Sequence, residues 1–249
     1  MIHLRRTGNQ HQMRRHLFAT GLSFGLAVSQ AGAAQPVQDT GRFDVFFAGL
    51  KAGELQYAMT QDAGQYTATG RLKPSGLVAA FADFALRAEV TGAVEGTSLA
   101  PEIYAATTGK EGARKERVID WSGDLPKVES SEAPDDHWAD PALQGDAVDP
   151  LTALWLLMQD RPEADLCTLD ISYFDGERRV QLVTEAPRPV EKGMACTGHY
   201  IRQGGFSEKA LEEGHAFGFT LIYRPEDTLW EVARIEVDTG RGPALLIRR

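Results

Sequence analysis

The sequence predicts a mainly β protein: a single strongly curved antiparallel sheet, or half-barrel, of about 10–12 strands that encloses one apolar helix. From residue 43 onward, short runs of alternating apolar and polar residues are separated by glycine-containing turns, a pattern typical of antiparallel strands. The segment 149–158 has helical spacing instead and is apolar on nearly all sides. No internal repeat or low-complexity tract divides the chain, which favours one domain.

The predicted helix begins with a clear start signal. Asp149 is suited to cap the helix, and Pro150 to be its first residue. Leu156 and Leu157 occupy much of one side, so the helix must be enclosed rather than lie on a surface. The concave side of a bent sheet is the natural enclosure. The opposite side carries a stripe of large apolar side chains: Leu151, Leu154, Trp155 and Met158.

Two other segments interrupt the strand pattern. Residues 74–84 place Phe81 and Phe84 at helical spacing and predict a short helix or turn. Residues 122–147 are rich in Asp, Glu, Pro, Ser and Gly, and predict a solvated loop without regular structure. Asp175-Gly176 lies between two strand runs and predicts a tight hairpin.

The first 34 residues have the features of a signal peptide. Arg14 and Arg15 precede an apolar run over 17–28, and Ala31-Gly32-Ala33 is a cleavage signal. Met13 offers an alternative start. We expect export to the periplasm by the general secretory route, with the twin-arginine route as the alternative. The mature domain, 35–249, contains no apolar run of about 18 residues, so no integral membrane span is expected there.

Charge excludes one class of partner. The whole chain has a net charge of −9. The leader carries four arginines and no acidic residue, so the remainder has 22 basic and 35 acidic residues, net −13. Such a field repels nucleic acid, and no nucleic-acid partner is expected.

Two cysteines, Cys167 and Cys196, lie in the mature part. In an oxidising compartment an even pair predicts a disulfide, with two buried thiols as the alternative. Neither cysteine lies at a recognisable helix start, where a catalytic thiol would be activated.

Known catalytic motifs are absent from the sequence, so we expect no catalytic residue, no cofactor and no enzyme activity. The histidines of the mature part are His137, His199 and His215. A zinc site from His199, His215 and Glu212 lacks the usual ligand spacing, and we expect no metal site. A hydrolase built around His199 or His215 is the remaining catalytic alternative.

The large apolar residues have two interpretations. They fill a dry core, as helical stripes usually do, or they line a ligand cavity between helix and sheet. The candidate cavity residues are Phe81, Phe84, Leu151, Leu154, Trp155 and Met158. The expected partner is therefore a hydrophobic small molecule or lipid, and the alternative is an envelope protein that binds to the surface.

Several motifs resemble an exported bacterial family, domain of unknown function 3108. They are Gly49-x-x-x-Gly53-Glu54, Pro101-Glu102-x-Tyr104, the helix from Asp149 to Leu154, Phe174-Asp175-Gly176-x-Arg178-Arg179 and Cys196-x-Gly198-x-Tyr200. The resemblance extends over residues 42–247. It implies a curved antiparallel sheet similar to periplasmic lipoprotein carriers, whose half-barrel holds acyl chains under a helical lid. It implies no catalytic residue.

Overall fold

Fourteen strands form one sheet in which all neighbouring strands are antiparallel. The computed structural model describes residues 36–75, 85–109, 113–239 and 241–249. The predicted fold class is confirmed. The strands are β1 Val37–Phe47, β2 Leu50–Asp62, β3 Gln65–Pro74, β4 Leu86–Glu95, β5 Ser98–Thr108, β6 Lys115–Asp120, β7 Lys127–Ser130, β8 Asp170–Phe174, β9 Arg179–Thr184, β10 Arg188–Val190, β11 Gly193–Gly204, β12 Ala216–Glu226, β13 Leu229–Asp238 and β14 Pro243–Arg248.

The sheet is open, and its two end strands are β7 and β8. Most neighbours in the sheet are also neighbours in sequence, as expected of a meander. The principal exception is the pairing of the first strand with the last, in which Phe43 lies opposite Arg248 and Phe47 opposite Ala244. The strand order is β7-β6-β5-β4-β3-β2-β1-β14-β13-β12-β11-β9-β8, with β10 paired to β11.

Two short strands, β7 and β10, were not predicted. Strand β7 pairs with β6 inside the segment predicted to be an irregular loop, and Pro141–Leu143 in the same segment forms a 3-10 turn. The prediction of no regular structure over 122–147 is therefore wrong. Strand β7 has only four residues, which is too short for the alternation of its side chains to be recognised in the sequence. It forms here because β6 offers a free edge.

The predicted helix is confirmed as α1, Pro150–Met158. The Asp149 carboxylate caps it, accepting hydrogen bonds from the Leu151 and Thr152 backbone N–H groups at 2.8 and 3.0 Å. These bonds satisfy two of the N–H groups that a helix start leaves without partners. The second helix within the described residues is short: α2, Glu208–Glu212.

Contacts of α1 require the sheet to be strongly bent. The helix packs against β3 and β4, and also against β8. In the sheet order β3 and β8 lie eight positions apart, which corresponds to roughly 38 Å in a flat sheet. A helix with its side chains is only about 10–12 Å wide. The sheet must therefore wrap around α1 for both strands to reach it.

The gap between the two sheet ends is crossed by the segment 132–149, which we call the strap. Its Val148 pairs with Tyr173 of the end strand β8, with Val148 N–H donating to the Ser172 carbonyl at 3.0 Å. Ala139 N–H donates to the Glu177 carbonyl at 2.8 Å. The strap thus continues from β7 at one end of the sheet to hydrogen bonds with β8 at the other.

The hairpin predicted at Asp175-Gly176 joins β8 to β9, but its turn is longer than expected. Asp175 Oδ1 accepts hydrogen bonds from the backbone N–H groups of Glu177 and Arg178, at 2.9 and 2.7 Å. This side-chain cap stabilises a four-residue turn, so β9 begins at Arg179 instead of 177. Only Gly176 of the predicted pair has a positive φ, at 92°.

The described residues belong to one compact unit. The predicted signal peptide, and the predicted helix or turn beyond Ser75, lie outside the described residues. Within the described ranges, neither helix is long and apolar enough to cross a membrane.

Candidate functional site

The stripe of α1 lies against the core of the protein. Leu151, Trp155 and Met158 are all buried, and Leu154 is half-buried against the same cluster. The Trp155 indole Nε1–H donates to Asp39 Oδ2 at 2.7 Å, which ties the helix to β1. These four candidate cavity residues line none of the cavities described below. Phe81 and Phe84, the other two candidates, lie outside the described residues.

A glycine allows α1 to approach the sheet closely. A Cβ atom at Gly70 of β3 would lie 2.6 Å from Leu151 Cδ1, well inside van der Waals contact. The helix therefore rests directly on the backbone of β3 at this point. Because interiors tolerate few voids, such contact leaves little free volume between this part of the helix and the sheet.

The helix cap is also a buried charge. Asp149 is fully buried, and its Oδ2 has no hydrogen-bond partner within the described residues. Burial raises the pKa of Asp149 to about 6, although hydrogen bonds from Thr152 and Leu151 act in the opposite direction. The two nearby tyrosines stay neutral, because burial also raises the pKa values of Tyr66 and Tyr104.

We expect Asp149→Asn to stabilise the protein above pH 6. The folded-state pKa lies above the unfolded value, so the stability contributed by Asp149 is complete below about pH 4 and is lost as pH rises through 6. Asparagine caps a helix equally well and carries no charge. The free energy of unfolding of Asp149→Asn, measured with urea, should therefore exceed that of the wild type by about 2–3 kcal/mol at pH 8 and hardly at all at pH 4.

Asp149→Ala is the control for this prediction, because it removes the charge together with the cap. Because alanine cannot cap the helix, the free energy of unfolding of Asp149→Ala should be about 1 kcal/mol lower than that of Asp149→Asn at every pH. A gain for Asp149→Asn that does not change between pH 4 and pH 8 would contradict the proposed ionisation.

The largest of the described cavities lies on the face of the sheet that points away from α1. On β14, Leu246 and Arg248 face the core, and the Arg248 guanidinium lies 5.3 Å from the Phe43 ring centre. Alternation along the strand places Leu245 and Ile247 on the opposite face. Together with outward-facing residues of β1, β12 and β13 they line a groove of about 790 Å³. We call it the outer groove.

Register brings residues from distant parts of the chain together in the outer groove. Phe46 of β1 lies opposite Leu245, and Arg234 of β13 lies opposite Ile247. Arg234 and Glu236 form an ion pair at 2.7 Å, so the charges within the groove are neutralised in part. What remains is an apolar surface with a small number of polar groups, which is typical of sites for small hydrophobic ligands.

Sequence reasoning missed this groove, although a signal was present. Residues 244–247 are continuously apolar, as are Phe46 and Phe47. A strand with one face in the core and the other in water should alternate, so a continuous apolar run indicates that both faces meet apolar material. The prediction used the run only to identify a strand.

A second cavity, of about 620 Å³, is basic and aromatic. We call it the basic cavity. Three arginines from separate segments line it: Arg178 from the β8–β9 turn, Arg202 from β11 and Arg241 from the β13–β14 turn. Tyr200 and Phe206 contribute aromatic surface to the same lining.

A third cavity, of about 360 Å³, opens between the two ends of the sheet, beside the first residue of α1. Tyr104 and Tyr173 line it, and burial raises the pKa of both side chains. Arg117 of β6 lines it as well and forms an ion pair with Glu177, while donating to the Asp175 carbonyl at 3.2 Å. These contacts hold the two sheet ends together.

The histidines do not form a common site. His199 is exposed on β11, with its Nε2 3.4 Å from Glu185 Oε1. His137 and His215 are also exposed. Among the described residues, no group of three or more His, Cys, Asp or Glu side chains is placed to hold a metal ion.

A comparison with known protein families identifies the family of this chain. The family described as "protein of unknown function (DUF3108)" matches residues 42–191. The chain belongs to this family. The comparisons with curated proteins and with solved structures found no match.

The DUF3108 match includes one part of the candidate site and omits another. Residues 42–191 contain most of β1, the strands through β10, the strap and α1. The outer groove takes only Phe46 and Gly49 from this range, and the rest of its lining comes from β12–β14 and the β13–β14 turn. The family match therefore covers all or part of ten of the fourteen strands, including the three that contact α1, and only two residues of the groove lining.

The predicted disulfide joins the DUF3108 region to the following strands. Cys167, in the connection between α1 and β8, is bonded to Cys196 of β11, with 5.3 Å between their Cα atoms. Both residues are buried. The prediction of a disulfide is confirmed.

Proposed function

We propose that this protein is an exported, periplasmic protein of the cell envelope that binds a hydrophobic or lipid-like ligand without catalysing a reaction. The observation that carries the proposal is the outer groove. Its volume of about 790 Å³ falls within the usual range for small-molecule sites, about 300–1,000 Å³. The proposed ligand site is thus on the outer face of the sheet, and not beside Trp155.

Exposed apolar residues in and beside the groove support this proposal. Ile247 of the groove lining is 38% exposed, and Leu50, which follows the lining residue Gly49, is 63% exposed. Large apolar side chains grouped on a surface commonly mark a site of interaction. An apolar molecule in the groove would remove this surface from water, at about 25 cal/mol per Å² of buried apolar area.

Two observations support the proposed location. The disulfide is of a kind that persists in oxidising compartments and is rare in the cytosol. The leader over residues 1–34 has the charge and apolar pattern of an export signal. Fractionation of cells that produce the full chain tests this part directly, and a cytosolic product with free thiols would contradict it.

Ligand binding is tested with a neutral apolar probe, N-phenyl-1-naphthylamine, whose fluorescence rises in apolar surroundings. We expect the wild-type protein to bind it, and Ile247→Glu to weaken binding at least ten-fold, because a charge in the groove must be desolvated. Native mass spectrometry of protein purified from periplasm should also show a co-purifying lipid.

Ile103→Glu is a matched control for Ile247→Glu. Ile103 is 39% exposed on β5 of the same sheet, and it lines none of the five described cavities. This variant should bind the probe within two-fold of wild type. An equal loss of probe binding in both variants, or no probe binding by the wild type, would show that the groove is not a ligand site.

A protein partner is the second candidate, and the exposure of Leu50 favours it. This side chain projects at a turn beside the groove and contributes little to a small-molecule site. Crosslinking in the envelope fraction should then return one stoichiometric partner that Ile247→Glu no longer captures. A lipid-filled groove and no such partner would favour the first candidate.

A further inference from the structure

We infer that the basic cavity binds a small anion, a carboxylate or phosphate group carried on a flat or aliphatic body. This inference is independent of the proposed function, because it concerns a different set of side chains. Its starting point is charge. In a chain of net charge −9, three arginines and the single acid Glu213 line one cavity of about 620 Å³.

Among the described residues, no carboxylate forms an ion pair with Arg202, and other groups hold its side chain in position. Its Nη1 donates to the Ala210 carbonyl and, at 3.0 Å, to the Gly214 carbonyl. Its guanidinium carbon lies 4.9 Å from the Phe206 ring centre and 4.7 Å from that of Phe217. Rings and carbonyl groups orient the guanidinium group without neutralising its charge. The pKa of Glu213 is lowered mainly by its hydrogen bond with Arg241, and the charge of Arg202 acts in the same direction.

The other two arginines are held only weakly. Arg178 lies 3.2 Å from Glu177 with 47% of its side chain exposed, and Arg241 pairs with Glu213 with 75% exposed. Exposed ion pairs contribute little to stability. An anion that enters the cavity can therefore also bind to these two guanidinium groups, with little loss of protein stability.

The shape and chemistry of the lining define the ligand class. A guanidinium group binds carboxylate and phosphate through two parallel N–H donors, an arrangement with both strength and directional specificity. Tyr200 and Phe206 provide apolar ring surface in the same cavity. An anionic group joined to a ring or short chain would use both kinds of contact.

Calorimetric titration of the full-length mature protein with phenyl phosphate tests the inference, with benzyl alcohol as the uncharged comparison. We expect phenyl phosphate to bind, inorganic phosphate to compete and benzyl alcohol not to bind. The double variant Arg178→Gln/Arg241→Gln should weaken binding at least ten-fold. Arg202→Lys should also weaken it, because the ammonium group lacks the two-donor geometry.

The control double variant is Arg224→Gln/Arg249→Gln. It removes the same charge from two arginines that are 51% and 41% exposed, are paired with carboxylates and line none of the five described cavities, so binding should stay within two-fold of wild type. No binding by the wild type at millimolar phenyl phosphate, or equal loss in both double variants, would overturn the inference. If Arg202→Lys fails to fold, the two double variants still decide it.

Dodecyl phosphate distinguishes a lipid phosphate from a free one. A dodecyl chain that raises affinity in the wild type, with the gain lost in Ile247→Glu, would identify an amphiphile that reaches the outer groove. Equal affinities for dodecyl and phenyl phosphate would identify a free anion. If phenyl phosphate binds while the neutral probe does not, the anion site stands and the proposed function fails.

Discussion

Trp155→Ala is expected to lower the free energy of unfolding by about 3–5 kcal/mol, because it removes a large buried side chain from the contact between α1 and the sheet. Only 7% of Trp155 is exposed, and its indole N–H satisfies the Asp39 carboxylate. The variant both creates a cavity and leaves Asp39 without this donor. Urea unfolding followed by circular dichroism measures the loss.

Trp155→Phe separates the two contributions. It retains most of the apolar ring and removes the N–H, so it should cost about 1.5–3 kcal/mol, the value of a hydrogen bond to a charged group. A loss below 1 kcal/mol for Trp155→Ala would mean that the helix is not enclosed by the sheet. The curved-sheet description would then be wrong.

Removing the disulfide is the second large change. The double variant Cys167→Ser/Cys196→Ser should lose about 3–4 kcal/mol, because the bond closes a loop across a sequence separation of 29 residues and restricts the unfolded chain. The bond also ties the connection after α1 to β11. Urea unfolding without reductant should show the loss directly.

Dithiothreitol provides the matched comparison for the disulfide. Treating the wild type with reductant should bring its stability down to that of the double variant, while the double variant itself should not change. A difference below 1 kcal/mol between wild type and double variant would show that the bond does not restrict the unfolded state.

Much of the fold was predictable from local sequence patterns. Alternation and glycine turns identify twelve strands, and Asp149-Pro150 fixes the start of α1. The missed strands, β7 and β10, have four and three residues, and β10 contains Pro189. Such segments carry no measurable period, and they become strands only because a neighbour supplies hydrogen-bond partners.

The candidate site was less predictable, for a physical reason. The outer groove depends on the pairing of β1 with β14, which places Phe46 opposite Leu245. Alternation indicates which residues share a face of one strand, but it does not indicate which distant strand lies alongside. The basic cavity likewise combines Arg178, Arg202 and Arg241 from three turns and strand ends that no local pattern connects.

The strap also affects how readily the open sheet can pair with a second molecule. An open sheet has two rows of unpaired backbone groups that invite strand addition from another molecule, and thus aggregation. At β8 this row is partly occupied by Val148, while β7 is only four residues long and carries Lys127 and Glu129. Both ends of the sheet are therefore poor templates for a second chain, one because it is covered and the other because it is short and charged.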